Sequence, residues 1–381
     1  MSNKNTLPTD PNYYVDCFLS GQIEPSEWVK ILKERPDVKE CLEQRKTVGS
    51  CPHIKNILVT GGAGYIGSIL VRLLLNEKYK VTVLDRFFFG KDTLPSHDSL
   101  TLVKGDIRTV SIDVIKGHEA VIDLAAISND PSSELNPSTT NSINHLGRFR
   151  IASLAKHAGV KRYILPSSAS IYGFSDEILS EGSVTNPLTT YAEANLNAEK
   201  DILRLHDEAF TVTILRQSTV FGFSQRMRFD LAINGMVKGY LEKGFLPILK
   251  DGTQWRPFLH VKDAARAIEL CLTSPRDKIA GQIFNVGSEE NNYQIFNLAE
   301  AVAKGLGVPL KYEWYGTPDH RSYKLSFAKI KDVLGFVCRH NAVNGAGEIA
   351  TAIREKNTDP SDPKTITLEW YKKLLEDGVV I

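Results

Sequence analysis

The sequence predicts an α/β fold: a doubly wound parallel sheet covered on both sides by helices, with a smaller C-terminal lobe and an N-terminal helical extension. Three observations lead there. From Lys55 onward, short β-branched runs alternate with helical stretches, the pattern of consecutive βαβ units. After about residue 222 that alternation gives way to helices and isolated strands. The chain has 381 residues, 42% of them hydrophobic, and single cores stop growing at roughly 250–300 residues.

Taken in order, residues 1–53 are polar and punctuated by proline, with one amphipathic candidate, "PSEWVKILKERPDVKECLEQR", interrupted at Pro36. They form an appended helical segment. The strand candidates follow: "KNILVTG", "YKVTVLD", "SLTLVKGD", "EAVIDLAA", "VKRYILPSS" and "FTVTILRQS". Later come the helix "FDLAINGMVKGYLEKG" and the strand "QIFNVGS". The expected division is an extension over 1–53, a sheet domain over 54–222 and a second lobe over 223–381, part of which returns to the main sheet.

Composition narrows the partners. Lys+Arg 46 against Asp+Glu 45 leaves a formal charge of +1, so no global field favours nucleic acid or an anionic membrane, and any anionic ligand must be held locally. The five cysteines are odd in number and far apart, with no CxxC pair, which speaks against a disulfide framework or a zinc site; no metal is expected. The start "MSNKNTLPTDPNYYVD" lacks a signal-peptide layout and no apolar run reaches about 18 residues. The expected location is the cytoplasm.

The first chemistry-bearing motif is "KNILVTGGAGYIGSILVRLLL", a strand joined to a helix through Gly61, Gly62, Gly64 and Gly67, with Tyr65 and Ile66 between the last two. Glycines there allow a tight turn, close approach to a pyrophosphate and close helix–strand packing, while the helix N-terminus favours negative charge. A lone glycine motif is weak, but this one has the required strand before and helix after. Asp85 ends the next strand, 18 residues beyond Gly67, where a carboxylate can accept from the adenosine ribose. The cofactor expected is NAD on a Rossmann-type domain. Arg86 beside it could instead pair with a 2′-phosphate.

With these residues in view, the chain resembles the extended short-chain dehydrogenase/reductases, in their nucleotide-sugar epimerase and dehydratase branch. The resemblance covers about residues 55–335 and rests on "GGAGYIG", "GDI" at 105–107, "LAA" at 124–126, "INHLG", "PSSASIYG" and the tyrosine of "TTYAEANLNAEK", in that order. It implies that Asp106 and Ile107 lie by the adenine and that Leu124, Ala125 and Ala126 line the cofactor cleft. It places Asn144 at the family's structural asparagine, Ser168 at the catalytic serine and Tyr191 at the catalytic tyrosine. The chemistry suits those types: hydride passes between nicotinamide and a sugar carbon while a phenol exchanges the hydroxyl proton and a serine hydroxyl bonds the same oxygen. Singly, a serine ending a strand or a tyrosine starting a helix is commonplace.

Relatives that eliminate water or decarboxylate carry a glutamate before the "YG" element, where this chain has Ala169 and Ser170. Elimination needs an acid for the leaving hydroxyl, so redox chemistry or epimerisation at a ring carbon, C4, is expected. On the substrate side the candidates are Ser128, Thr219, Arg226, Arg228, Asn234, Arg256 and Arg321, because guanidinium forks suit a diphosphate. The resemblance assigns diphosphate contact to Arg256. Pro257 and Thr219 depart from the family's aspartate and asparagine, and His260 reads as a packed histidine rather than a catalyst.

The largest departure is Asn195. The resemblance sets a lysine there, whose ammonium lowers the tyrosine's pKa and whose NH groups hold the nicotinamide ribose; asparagine can keep only the second role. Lys200, nine residues after Tyr191, lies about 180° around the helix and more than two turns along. Tyr191 is thus expected to act chiefly as a proton donor, with Asn195 beside it. Two other readings stay open: reduction of a small carbonyl compound, and a catalytically weakened cofactor-binding sensor. The expected ligand is a nucleoside-diphosphate sugar and the expected assembly a homodimer through helices flanking the sheet.

Overall fold

The computed structural model describes residues 14, 23, 25–39, 54–319 and 321–381. Two compact units emerge, one of Met1–His53 with Pro275–Asp277 and one of Ile54–Ser274 with Lys278–Ile381. Within the first, a helix spans Pro25–Glu34, Arg35 breaks it, and a further helical turn covers 36–39. Tyr14 and Val38 are buried there with Ile23, Ile31 and Leu32 against them. The rest of the expected helical segment, with Cys17, Cys41 and Cys51, lies outside the described residues.

The second unit is built on seven strands: β1 (Asn56–Thr60), β2 (Lys80–Asp85), β3 (Leu100–Lys104), β4 (Ala120–Asp123), β5 (Arg162–Ser168), β6 (Thr211–Gln217) and β7 (Gln282–Val286). Their spatial order is β7-β6-β5-β4-β1-β2-β3, and every neighbouring pair is parallel. Parallel strands buried on both faces need apolar residues at successive positions. β1 shows this directly: Ile57 and Val59 face one core and Leu58 the other.

On the first face, α1 (Tyr65–Asn76) and α5 (Val261–Thr273) supply Leu70, Val71, Leu74, Ile268 and Cys271. On the second, α2 (Arg148–His157) and α3 (Thr190–Leu203) supply Ile151, Ala155, Ala198 and Ile202. Three-layer packing of this kind is the doubly wound architecture the sequence predicts.

A third core joins α4 (Ala232–Lys243), α6 (Ile295–Leu306) and α7 (Ala342–Arg354) through Ile233, Val237, Leu298, Val302, Ala346 and Ile349. Phe221 and Phe258, on the short parallel strands Thr219–Phe221 and Trp255–His260, close it. The last helix, α8 (Thr367–Glu376), returns to the sheet edge, where the Trp370 indole donates to the Phe88 carbonyl after β2 at 2.8 Å. Among the described residues, no helix is long and apolar enough to cross a membrane.

Candidate active site

A cavity of about 610 Å³ opens at the carboxyl ends of the strands, where open parallel sheets place their ligands. Its first part is the β1–α1 turn. Gly61 has φ +65°, and a Cβ there would meet the Ala125 nitrogen at 2.7 Å. A Cβ at Gly67 would lie 2.6 Å from the Gly61 and Gly62 carbonyl oxygens. Gly64 differs: a Cβ would meet only the Gly61 oxygen, at 3.1 Å, and the residue lines the cavity. No side chain caps α1 at Gly64, so the helix N-terminus is left to a ligand, as a dinucleotide pyrophosphate requires.

Tyr65 and Ile66 also line the cavity. The Tyr65 hydroxyl donates to the Gly222 carbonyl at 2.6 Å and accepts from the Asn234 amide at 3.0 Å; burial raises its pKa. Asp85 accepts from the Ala63 and Phe87 amides at 3.0 and 2.7 Å, and burial pushes its carboxyl up. Arg86 donates to Asp106 at 2.6 Å and to the Val380 carbonyl at 2.5 Å, which commits its fork to protein. Although burial opposes it, the Arg108 guanidinium and amide, with Arg86, hold Asp106 down at about 2.

The sequence reading missed the aromatic wall of this end. Phe88 and Phe89, straight after Asp85, meet Tyr371 of α8 edge-on at centroid distances of 6.4 and 5.6 Å, and Ile366, Leu368 and Ile381 complete it. The available signal was the run "RFFFG". Arg226 lies against this wall. Its guanidinium sits 3.7 Å from the Phe89 ring centre and donates to the Thr367 hydroxyl at 3.0 Å. Its buried Nη1 has no hydrogen-bond partner, and among the described residues it is in no ion pair. Burial pulls its pKa down to about 9.

Ser168, Ser170 and Tyr191 line the middle of the cavity with Leu124, Ala125, Ala126 and Ile107. Ser168 ends β5 and caps the turn that follows, accepting from the Ser170 amide at 3.1 Å. Tyr191 stands in the first turn of α3, which Thr189 caps by accepting from the Ala192 amide at 3.2 Å. Tyr191 is partly exposed and lines the cavity: burial raises its phenol pKa, the Arg148 guanidinium opposes most strongly, Asp130 adds to the rise, and Ser168 and Arg228 pull down. Ala169 is buried, so no carboxyl group stands before the "YG" element.

Three residues named from the sequence, the structural Asn144 and the expected contacts Asn234 and Asn195, are placed off the cavity wall. Asn144 is fully buried and pairs both ways with the Ile127 backbone, at 2.8 and 2.9 Å, fixing the loop after β4. Asn234, also fully buried, bonds Gly222, Tyr65 and the Arg228 carbonyl. Asn195 is 1% exposed; its amide donates to the Tyr191 carbonyl at 2.8 Å and its oxygen accepts from Arg148 at 2.8 Å. Neither leaves a group aimed at a nicotinamide ribose. The ribose contact expected of Asn195 therefore has no geometric support, because an asparagine side chain is too short to leave the helix once it bonds the carbonyl four residues back.

At the far end, Ser128, Thr219, Arg228, Arg256 and Arg321 line the cavity, and the arginines already face carboxylates. Arg228 forks onto Asp230 at 3.0 and 2.7 Å and reaches the Ser128 hydroxyl at 3.2 Å. Arg256 donates to Asp319 at 2.8 Å, and Arg321 forks onto the same carboxylate at 2.9 and 2.7 Å while also pairing with Asp130. His260 is fully buried, bonded to Glu348 at 2.7 Å and stacked on His340, remote from the cavity wall.

The family model described as "NAD dependent epimerase/dehydratase family" matches residues 57–287. The chain is 28% identical to a UDP-glucose 4-epimerase of Corynebacterium glutamicum, over 80% of this chain and 97% of that protein. It is 28% identical to a dTDP-glucose 4,6-dehydratase of Streptomyces niveus, over 83% and 92%. Among solved structures, that of MoeE5 in complex with UDP-glucuronic acid and NAD superposes with a TM-score of 0.71 at 30% identity, covering 79% of this chain and 99% of that one.

Proposed function

This chain belongs to the NAD-dependent epimerase/dehydratase family, and from that premise we propose that it oxidises, reduces or epimerises a ring carbon, C4, of a nucleoside-diphosphate sugar. The observation that carries the reading is the convergence of Ser168 from β5 and Tyr191 from α3 on a cavity that also holds an open helix N-terminus and six arginines. MoeE5 binds a UDP-sugar and NAD together, which fits a cavity with one end for each.

NAD would lie with its pyrophosphate at Gly64 and Arg226 and its adenosine ribose at Asp85, and supplies hydride exchange when bound. The remaining work belongs to the chain. Burial keeps the Tyr191 phenol protonated at neutral pH, ready to give its proton to a carbonyl oxygen as that oxygen becomes a hydroxyl. Ser168 holds the same oxygen. Arg228, Arg256 and Arg321 exchange part of their carboxylate pairing for the sugar nucleotide's diphosphate. Ala169 and Ser170 offer no acid for a leaving hydroxyl, which supports redox chemistry or epimerisation over elimination. Arg86, bound to Asp106 and Val380, is spent, which favours NAD over a 2′-phosphorylated cofactor.

The test is NMR of UDP- and dTDP-sugars incubated with the protein and NAD⁺. A C4 epimer or a 4-keto sugar is expected. Inertness toward every nucleotide sugar, with reduction of simple ketones by NADH, overturns the reading. A homodimer through flanking helices, α3 among them, belongs to the same proposal; a monomer in sedimentation of the full chain and of a chain beginning at His53 removes it.

A further inference from the structure

Arg148 is the most deeply buried cation on the cavity wall, 2% exposed. It starts α2, yet its guanidinium reaches across to three other elements: it donates to the Asp123 carbonyl at the end of β4 at 2.9 Å, to the Pro166 carbonyl in β5 at 2.7 Å, and to the Asn195 side-chain oxygen in α3 at 2.8 Å. All three acceptors are neutral. The buried Nε has no hydrogen-bond partner, and the nearest carboxylate, Asp123, stands 3.8 Å from it. That carboxylate is turned elsewhere, accepting from the Thr60 hydroxyl and from the Tyr163 hydroxyl at 2.5 Å.

Two other buried arginines of this unit are arranged differently, although Arg162 also donates to carbonyls, those of Cys271 and Leu272 at 2.7 and 2.6 Å. Arg216 forks onto Glu199 at 3.0 and 2.9 Å, and Arg228 onto Asp230. A forked pair cancels most of its field locally, whereas a guanidinium held by carbonyl oxygens keeps its charge. Asn195 completes the arrangement, because one amide bonds the Tyr191 carbonyl and the Arg148 guanidinium together.

We propose that Arg148 is the positioning residue whose fixed positive charge serves the Tyr191 phenol, the charge arriving from α2 because α3 carries an asparagine at position 195. The proposal rests on the reading of Tyr191 as the proton-exchanging group. The charged groups acting on that phenol are Arg148 and Arg228, which favour tyrosinate, and Asp130, which opposes it; Arg228 is tied to Asp230 and Asp130 to Arg321. A cation beside an acid lowers its pKa, so removing Arg148 moves formation of tyrosinate to higher pH. Oxidation of a hydroxyl needs tyrosinate and loses rate below that pH; reduction of a ketone needs the phenol and is spared near pH 7. A purely structural strut between β4, β5 and α3 predicts lost stability and no change of titration.

The experiment places a fluorotyrosine at position 191 and follows its ¹⁹F resonance against pH in the full chain. Arg148→Gln should raise the midpoint by about one to three pH units, Arg148→Lys should hold it closer to the parent's, and Arg148→Gln with Asn195→Lys should bring it back. A folded Arg148→Gln protein with the parent's midpoint overturns the proposal. If that variant does not fold, the double variant is read against Asn195→Lys alone: a double variant with the same midpoint as Asn195→Lys overturns the proposal, and a higher one supports it. The titration uses no substrate, so absence of nucleotide-sugar turnover counts against the proposed function alone, and an unmoved midpoint counts against Arg148 alone.

Discussion

Replacing Arg226 by methionine should push stability and cofactor affinity in opposite directions. Arg226 is 5% exposed, has an unpartnered Nη1 and is in no ion pair among the described residues. Burial pulls its pKa from 12.5 to about 9; at about 1.36 kcal/mol per unit, the uncompensated cation costs the fold on the order of several kcal/mol. The sign follows from the direction: a base whose folded pKa is depressed weakens the fold while it is protonated, and arginine is protonated throughout the neutral range. Stacking over Phe89 returns about 2 kcal/mol when desolvated, and the bond to Thr367 about 1 kcal/mol. Arg226→Met should therefore leave the ligand-free protein as stable as the parent or more stable by about 1 kcal/mol, a similar-sized apolar chain taking its place. Binding should fall, since a charged hydrogen bond to phosphate is worth about 1.5–3 kcal/mol, roughly ten- to hundredfold in Kd. Urea unfolding of the ligand-free protein and fluorescence titration with NADH read the two quantities. A variant that is clearly less stable and binds NADH as the parent does would show Arg226 to be a strut, and the anion-holding role would be lost.

Three further outcomes are expected. Gly64→Val should abolish NADH binding with little change in fold, because Gly64 lines the cavity and a Cβ there meets only the Gly61 oxygen; binding equal to the parent's in calorimetry would move the pyrophosphate elsewhere. Asp85→Ala should weaken NADH binding and lower stability together, since its carboxylate also holds the Ala63 and Phe87 amides; a parent that already prefers NADPH would give the decision to Arg86. Arg256→Ala should weaken sugar-nucleotide binding by about 1.5 kcal/mol, the low end for a charged hydrogen bond, because Arg256 gives up its bond to Asp319 when it turns to the ligand; isothermal titration with UDP and dTDP would show no change if Arg256 is outside the site.

What the sequence alone determined is what local pattern controls. Runs of β-branched residues separated by helical stretches dictate a parallel sheet, because each strand must bury both faces and each crossover needs a helix. The glycine loop, Asp85 at the end of β2, Ser168 at the end of β5 and Tyr191 in the first turn of α3 are legible for the same reason: each position is defined by its own element's terminus, and the strand ends of a doubly wound sheet all reach one cavity. Tertiary structure decided where long side chains go. Arg148 precedes Tyr191 by 43 positions and meets its helix only because β4, β5 and α3 pack side by side. Arg228, Arg256 and Arg321 look like free phosphate ligands in sequence, yet Asp230, Asp319 and Asp130 were already waiting across the cavity. Asn144, Asn195 and Asn234 carry the residue type of a ligand contact and are spent on backbone and neighbouring side chains. A side chain's partner is set by whichever group the fold brings within about 3 Å, and that choice is made by contacts distant in sequence, which no local spacing records.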